Sequence, residues 1–143
     1  MTAAHLELGR RHELRLLAMV PQEAQRRIRR LMAPIDVGVD FISRASEVSH
    51  LVLSQTSYQV ALLPATLPDS GWWSLWGEIA LLHPRPEILV YAHAASFELW
   101  SGVLEAGGYD VLVEPFSGDE LQRAVIRAAI SFAERLSQES SHG

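Results

Sequence analysis

Hydrophobic and polar positions divide the chain into five short apolar runs alternating with five stretches with helical spacing. Glu13–Met19 is apolar and of strand length, and Val20-Pro21 ends it, with Pro21 suited to a helix start. A helix is expected over Gln22–Met32, where Ala24, Ile28 and Leu31 fall at i, i+4 and i+7 as one buried face. Asp36–Ile42 alternates strictly, with Val37, Val39 and Phe41 on one side and Asp36, Gly38 and Asp40 on the other, which fits a half-exposed edge strand. Ser46 is the expected cap of a second helix over Glu47–Ser54. Val60–Leu63 is a continuous apolar run, the pattern of a strand buried on both faces of a parallel sheet. Pro64, with no N–H to donate, is expected to stop that ladder.

The second half repeats the alternation. Gly71–Leu82 reads as a helix burying Leu75, Trp76, Ile79 and Leu82, and His83-Pro84-Arg85-Pro86 as a rigid loop. Glu87–Tyr91 is a further buried strand. A fourth helix is expected over Ala95–Ala106 with Phe97, Trp100 and Leu104 as its stripe, closed by Gly107-Gly108. Asp110–Val113 is the fifth strand, and Pro115 breaks it. The capping box Ser117-Gly118-Asp119-Glu120 opens a last helix that buries Leu121, Val125, Ala128 and Phe132. Residues 1–12 read as an arm, 13–137 as one domain and 138–143 as a polar tail. Strands alternating with crossover helices imply an α/β fold with a doubly wound, five-stranded parallel sheet. The edge character of Val37–Phe41 and the buried run Val60–Leu63 suit the flavodoxin-like order 2-1-3-4-5, whose site lies beyond the carboxyl end of a central strand.

Composition narrows the chemistry. An apolar fraction of 48% supports a core, and the 143 residues suit one domain. The absence of cysteine excludes disulfides, thiolate metal sites and cysteine nucleophiles. All 12 basic residues are arginine, so no mechanism can use a lysine ammonium or Schiff base. Net charge of −5 argues against direct nucleic-acid binding. Apolar stretches are too short to span a bilayer and the first residues carry no signal core, so a cytoplasmic location is expected.

Three stretches resemble bacterial response-regulator receiver domains: Tyr58–Asp69 with the helix after it, Ile88–Phe116, and the helix opening Ser117–Val125. LEAGGYDVLV followed by Pro115-Phe116 is the most specific of them, and the first 55 residues match only in pattern. The resemblance implies a flavodoxin-like receiver fold. A working receiver takes a phosphoryl group onto an aspartate ending the third strand, with an acidic pair holding Mg²⁺, a hydroxyl ending the fourth strand and a lysine after the fifth. The carboxylate is the nucleophile, the metal neutralises the transferring group, and the lysine and hydroxyl bind its oxygens. Carried onto this chain, the aspartate position is Pro64, the acidic pair falls on Val20 and Pro21, the hydroxyl is Tyr91 and the lysine is Glu114. The aromatic switch position falls at Val111. The resemblance is therefore to a degenerate pseudo-receiver with no catalytic residue, metal or cofactor. Asp69, five residues past Pro64, is a poor substitute nucleophile. Glu114 is expected either to pair with an arginine or His93, or to turn to solvent.

The remaining features are modest. The histidines at 5, 12, 50, 83, 93 and 142 have no metal-like spacing. The run Arg26-Arg27-Ile28-Arg29-Arg30 reads as a solvated helix face. Trp72 and Trp73 are consecutive and cannot both face inward on a helix. The expected function is a phosphorylation-independent signalling module, not an enzyme, acting by protein–protein contact. The alternative is a small-ligand or anion sensor using the vacated pocket. A protein partner or homodimer is expected on the face of the fourth helix, fifth strand and fifth helix. Its apolar part is Leu99 and Val103, and its charges are Glu105, Asp110, Arg123 and Arg127.

Overall fold

A computed structural model describes residues 14–54, 56–65, 76–79, 81–94 and 96–142. Five parallel strands, β1 Leu14–Met19, β2 Val37–Ile42, β3 Val60–Pro64, β4 Glu87–Ala92 and β5 Asp110–Val113, form one sheet in the order β2-β1-β3-β4-β5. The flavodoxin-like order is the one expected. It puts the alternating strand β2 at an edge and the apolar run β3 at the centre, where Val60, Ala61, Leu62 and Leu63 are fully buried. Helix α1 spans Gln22–Met32, α2 Val48–Ser54, α3 residues 76–79, α4 Phe97–Glu105 and α5 Gly118–His142.

Period-two alternation along the strands sends their side chains into two separate cores. Leu16, Leu62 and Leu89 pack with Ile28 and Met32 of α1 and Leu121, Val125 and Ala128 of α5. Leu17, Ala61 and Val90 face the other way, against Val48 of α2, Trp76 and Ile79 of α3, and Val103 of α4. Helices α1 and α5 thus cover one face and α2, α3 and α4 the other.

Local signals act as expected at both ends of the second half. Ser117 Oγ accepts from Glu120 N at 3.1 Å, and Glu120 Oε1 accepts from Ser117 N at 2.9 Å, a closed capping box. At the end of α4, Gly107 has φ +97°, its N–H bonds Leu104 O and that of Gly108 bonds Val103 O, a Schellman ending that needs a residue without a Cβ.

Three expectations are corrected and one holds: β3 ends at Pro64, its last residue, paired in register with Tyr91. The Ala65 N–H donates to Tyr91 O, so the N–H missing at Pro64 would point towards β1, beyond the last β1–β3 pair Ala18↔Leu62. Ser46 is not the cap of α2: a 3₁₀ turn over Ala45–Glu47 starts the helix earlier, and Glu47 Oε1 accepts from the N–H groups of Ser43 and Arg44. The stretch after Ser137 continues α5 as far as His142. Finally, Phe97 and Trp100 of α4 are exposed, at 77% and 45%, whereas Val103 is buried. The expected arm 1–12, Leu75, Asp69, Trp72 and Trp73 lie outside the described residues.

Candidate functional site

The carboxyl ends of β1, β3, β4 and β5 meet in a crevice, where the sheet order brings together the segments that follow Met19, Pro64, Ala92 and Val113. Tyr91 dominates it. Its hydroxyl donates to the Met19 carbonyl oxygen at 2.8 Å, and because β3 lies between β4 and β1 this bond spans the central strand. Burial, reinforced by the nearby Glu114 charge, pushes the Tyr91 phenol up to about 12, so it is neutral at physiological pH.

The Tyr91 ring divides the crevice into two hollows. One, of about 190 Å³, lies towards α1 and α5 and is lined by Val20, Pro21, Ala24, Arg27, Ile28 and Phe116. The other, of about 360 Å³, is lined by Pro64, Ala65, Ala92, Ala94 and Leu99. Tyr91, His93 and Glu114 border both. Glu114 Oε1 lies 3.4 Å from His93 Nδ1, so its partner is the histidine and not an arginine. Arg27 reaches the smaller hollow, but its guanidinium donates to Phe116 O at 2.9 Å and lies 5.6 Å from the Phe116 ring centre. In the sequence Arg27 reads only as one of a solvated run. The signal available was its position one residue before the buried Ile28, towards α5.

All five positions singled out by the resemblance therefore border this one crevice. Val20 is buried directly after β1, Pro21 opens α1, and Pro64, Tyr91 and Glu114 follow in space. Val111 sits behind them, packed among the α2–α4 side residues, with its N–H on Asp110 Oδ1 at 2.8 Å. Chemically the crevice offers a neutral phenol already engaged, an imidazole beside one carboxylate, and apolar walls. Among the described residues no three His, Asp or Glu side chains come together as a metal site would need.

The residues expected to form a contact surface divide between the core and the surface. Val103 is 1% exposed and Leu99 packs against the same core, so both face inward. This corrects their assignment as exposed apolar contacts. Glu105 and Arg127 are exposed, the Asp110 carboxylate accepts from the Val111 N–H, and Arg123 lies 3.9 Å from Asp119 one turn back. At the opposite end of the sheet, Arg15 pairs with Asp40, which also accepts from the Tyr58 hydroxyl at 2.7 Å. That cluster ties β1, β2 and the start of β3 together and lies away from the crevice.

No family model matches the sequence, and no curated protein matches it. Solved structures do. The signal receiver domain of an HD domain-containing protein from Pseudomonas fluorescens is 20% identical, with a TM-score of 0.71 over 87% of this chain and 99% of that one. A CheY-like response-regulator receiver domain protein from Methanospirillum hungatei is 17% identical, with a TM-score of 0.72 over 85% of this chain and 98% of that one. A response-regulator receiver protein from Burkholderia phymatum gives 16% identity and a TM-score of 0.71, covering 82% of this chain and 95% of that one. The chain has the receiver fold.

Proposed function

We propose that this chain is a receiver-like regulatory module that works without phosphoryl transfer and acts by contact with another protein. The observation that supports it most is the Tyr91 hydroxyl bonded to Met19 O across the crevice. In a receiver this space takes the phosphoryl group and its metal. Here a phenol fills it, and Val20, Pro21 and Pro64 supply no carboxylate and Glu114 no ammonium. Phosphoryl transfer relies on charge neutralisation by groups placed together, so their joint replacement removes nucleophile, metal ligands and cation at once. The reading involves no enzymatic step, cofactor, nucleic acid or membrane. No helix among the described residues is long and apolar enough to cross a bilayer.

The contact surface we assign is the α4–β5–α5 side, with Glu105, Asp110, Arg123 and Arg127 as its charges. Phe97, Trp100, Leu104 and Val113 replace Leu99 and Val103 as its exposed apolar part. The two hollows beside Tyr91 favour a second reading, a small ligand held in the crevice. Glu114 facing both hollows makes an anion unsuitable there, which leaves neutral or cationic ligands.

Amide NMR tests the leading reading. Adding Mg²⁺ and a small phosphodonor leaves the signals of Met19, Tyr91 and Glu114 in place. Saturable shifts at those residues would overturn it.

A further inference from the structure

Helix α4 carries two apolar stripes, and only one is covered. Leu99, Val103 and Ala106 belong to the core. Phe97, Trp100 and Leu104, at i, i+3 and i+7, are 77%, 45% and 38% exposed, and the Phe97 and Trp100 rings lie 6.5 Å apart between centroids. Such a stripe is the spacing by which one helix packs against another. The charges that α4 itself presents are of one sign: Glu98 and Glu105 are exposed on it, and from Pro86 to Gln122 the chain contains no arginine. Arg85, just before this stretch, is held at the end of α4, with its Nη2 donating to Gly107 O at 3.4 Å. A second copy of α4 would bring Glu98 and Glu105 against their own kind, and like charges facing each other oppose association. The chain's own arginine helix cannot serve either, because its apolar residues Ile28 and Met32 are spent in the core.

We infer that the exposed α4 stripe is the docking site for a basic amphipathic helix of a partner protein. The partner presents apolar side chains at i, i+3 or i+4 and i+7, flanked by arginine or lysine. The inference rests on the reading of the chain as a protein-contact module and names the chemistry of its partner. Aromatic anchors supply most of the affinity, and the carboxylates set orientation and approach rate.

The test uses the full chain and two labelled synthetic helices of roughly 15 residues. Both carry the same leucine stripe, one flanked by arginine and one by glutamate. Fluorescence anisotropy is read at about 0.05 and 0.5 M salt, first with no phosphodonor and then with acetyl phosphate and Mg²⁺. The arginine peptide binds at least about tenfold more tightly than the glutamate peptide at low salt, and Trp100→Ala removes about tenfold of that affinity. Glu98→Arg with Glu105→Arg reverses the preference between the peptides. These positions are exposed, and unchanged thermal melting shows that the variants are folded. Equal affinity for both peptides, no saturable binding of the arginine peptide with or without a phosphodonor, or binding indifferent to all three substitutions overturns the inference. So does self-association abolished by Trp100→Ala, which makes the occupant a second copy. Arginine-peptide binding that appears only with a phosphodonor overturns phosphorylation independence and leaves the docking site standing. Failure of both peptides with inert phosphodonor chemistry does the reverse.

Discussion

Tyr91 carries the argument at the scale of single residues. Its hydroxyl satisfies the Met19 carbonyl, so Tyr91→Phe leaves that acceptor without its partner and lowers stability by about 1 kcal/mol, read from denaturant unfolding. The pH dependence has a definite sign. The folded phenol titrates near 12 and the unfolded one near its ordinary value of 10. The neutral form is favoured on folding, so this contribution is fully present below pH 10 and is lost between about pH 10 and 12. Burial and the Asp40 carboxylate raise Tyr58 in the same direction, so Tyr91→Phe flattens alkaline unfolding without abolishing it. Restoring one receiver residue is not enough: Pro64→Asp stays unphosphorylated, because the groups of such a site act together. Phosphorylation of that variant at a receiver-like rate would mean that an acidic pair exists elsewhere in the crevice. A tyrosine at the end of β4 could be read from the sequence. Its reach across β3 to β1 could not, because that depends on strand order and register.

Helix α4 shows where element-level reading succeeds and fails. Its ending was legible, since Gly107-Gly108 after an amphipathic run is a local signal. Its buried face was not. Phe97-Trp100-Leu104 and Leu99-Val103-Ala106 are both apolar at helical spacing, and periodicity cannot choose between them. Space at the sheet decides. A Cβ on Gly108 would come within 2.5 Å of Val103 Cγ1 and 3.0 Å of the Trp76 ring, so the tight inner side takes the smaller stripe and the larger rings stay outside. Glycine substitutions along this element should therefore diverge. Among the described residues nothing lies within 4 Å of a Cβ added at Gly102, and Gly102→Ala raises stability by up to about 1 kcal/mol through helix propensity. Gly107 has φ +97°, and Gly107→Ala lowers stability by about 1 kcal/mol or more. Thermal unfolding of the pair checks both signs. Similar losses from the two changes would mean that α4 does not end at Glu105 as described.

For the molecule as a whole, strand identity, edge and centre, and the flavodoxin-like order followed from hydrophobic pattern alone, because a central parallel strand must be apolar on both faces and an edge strand need not be. The charge layout did not follow, since it depends on which helices share a face. Segregation of the arginine-free stretch makes self-association through α4 unfavourable, so light scattering at micromolar concentration should give a monomer. A dimer insensitive to Trp100→Ala but broken by Arg123→Glu with Arg127→Glu would instead place a two-fold contact on β5 and α5. The central claim is that a receiver fold has here lost phosphoryl chemistry by filling its own site. Intact-protein mass spectrometry after incubation with acetyl phosphate and Mg²⁺ tests it most directly. The account predicts an unchanged mass, and a stoichiometric phosphoryl adduct would contradict it.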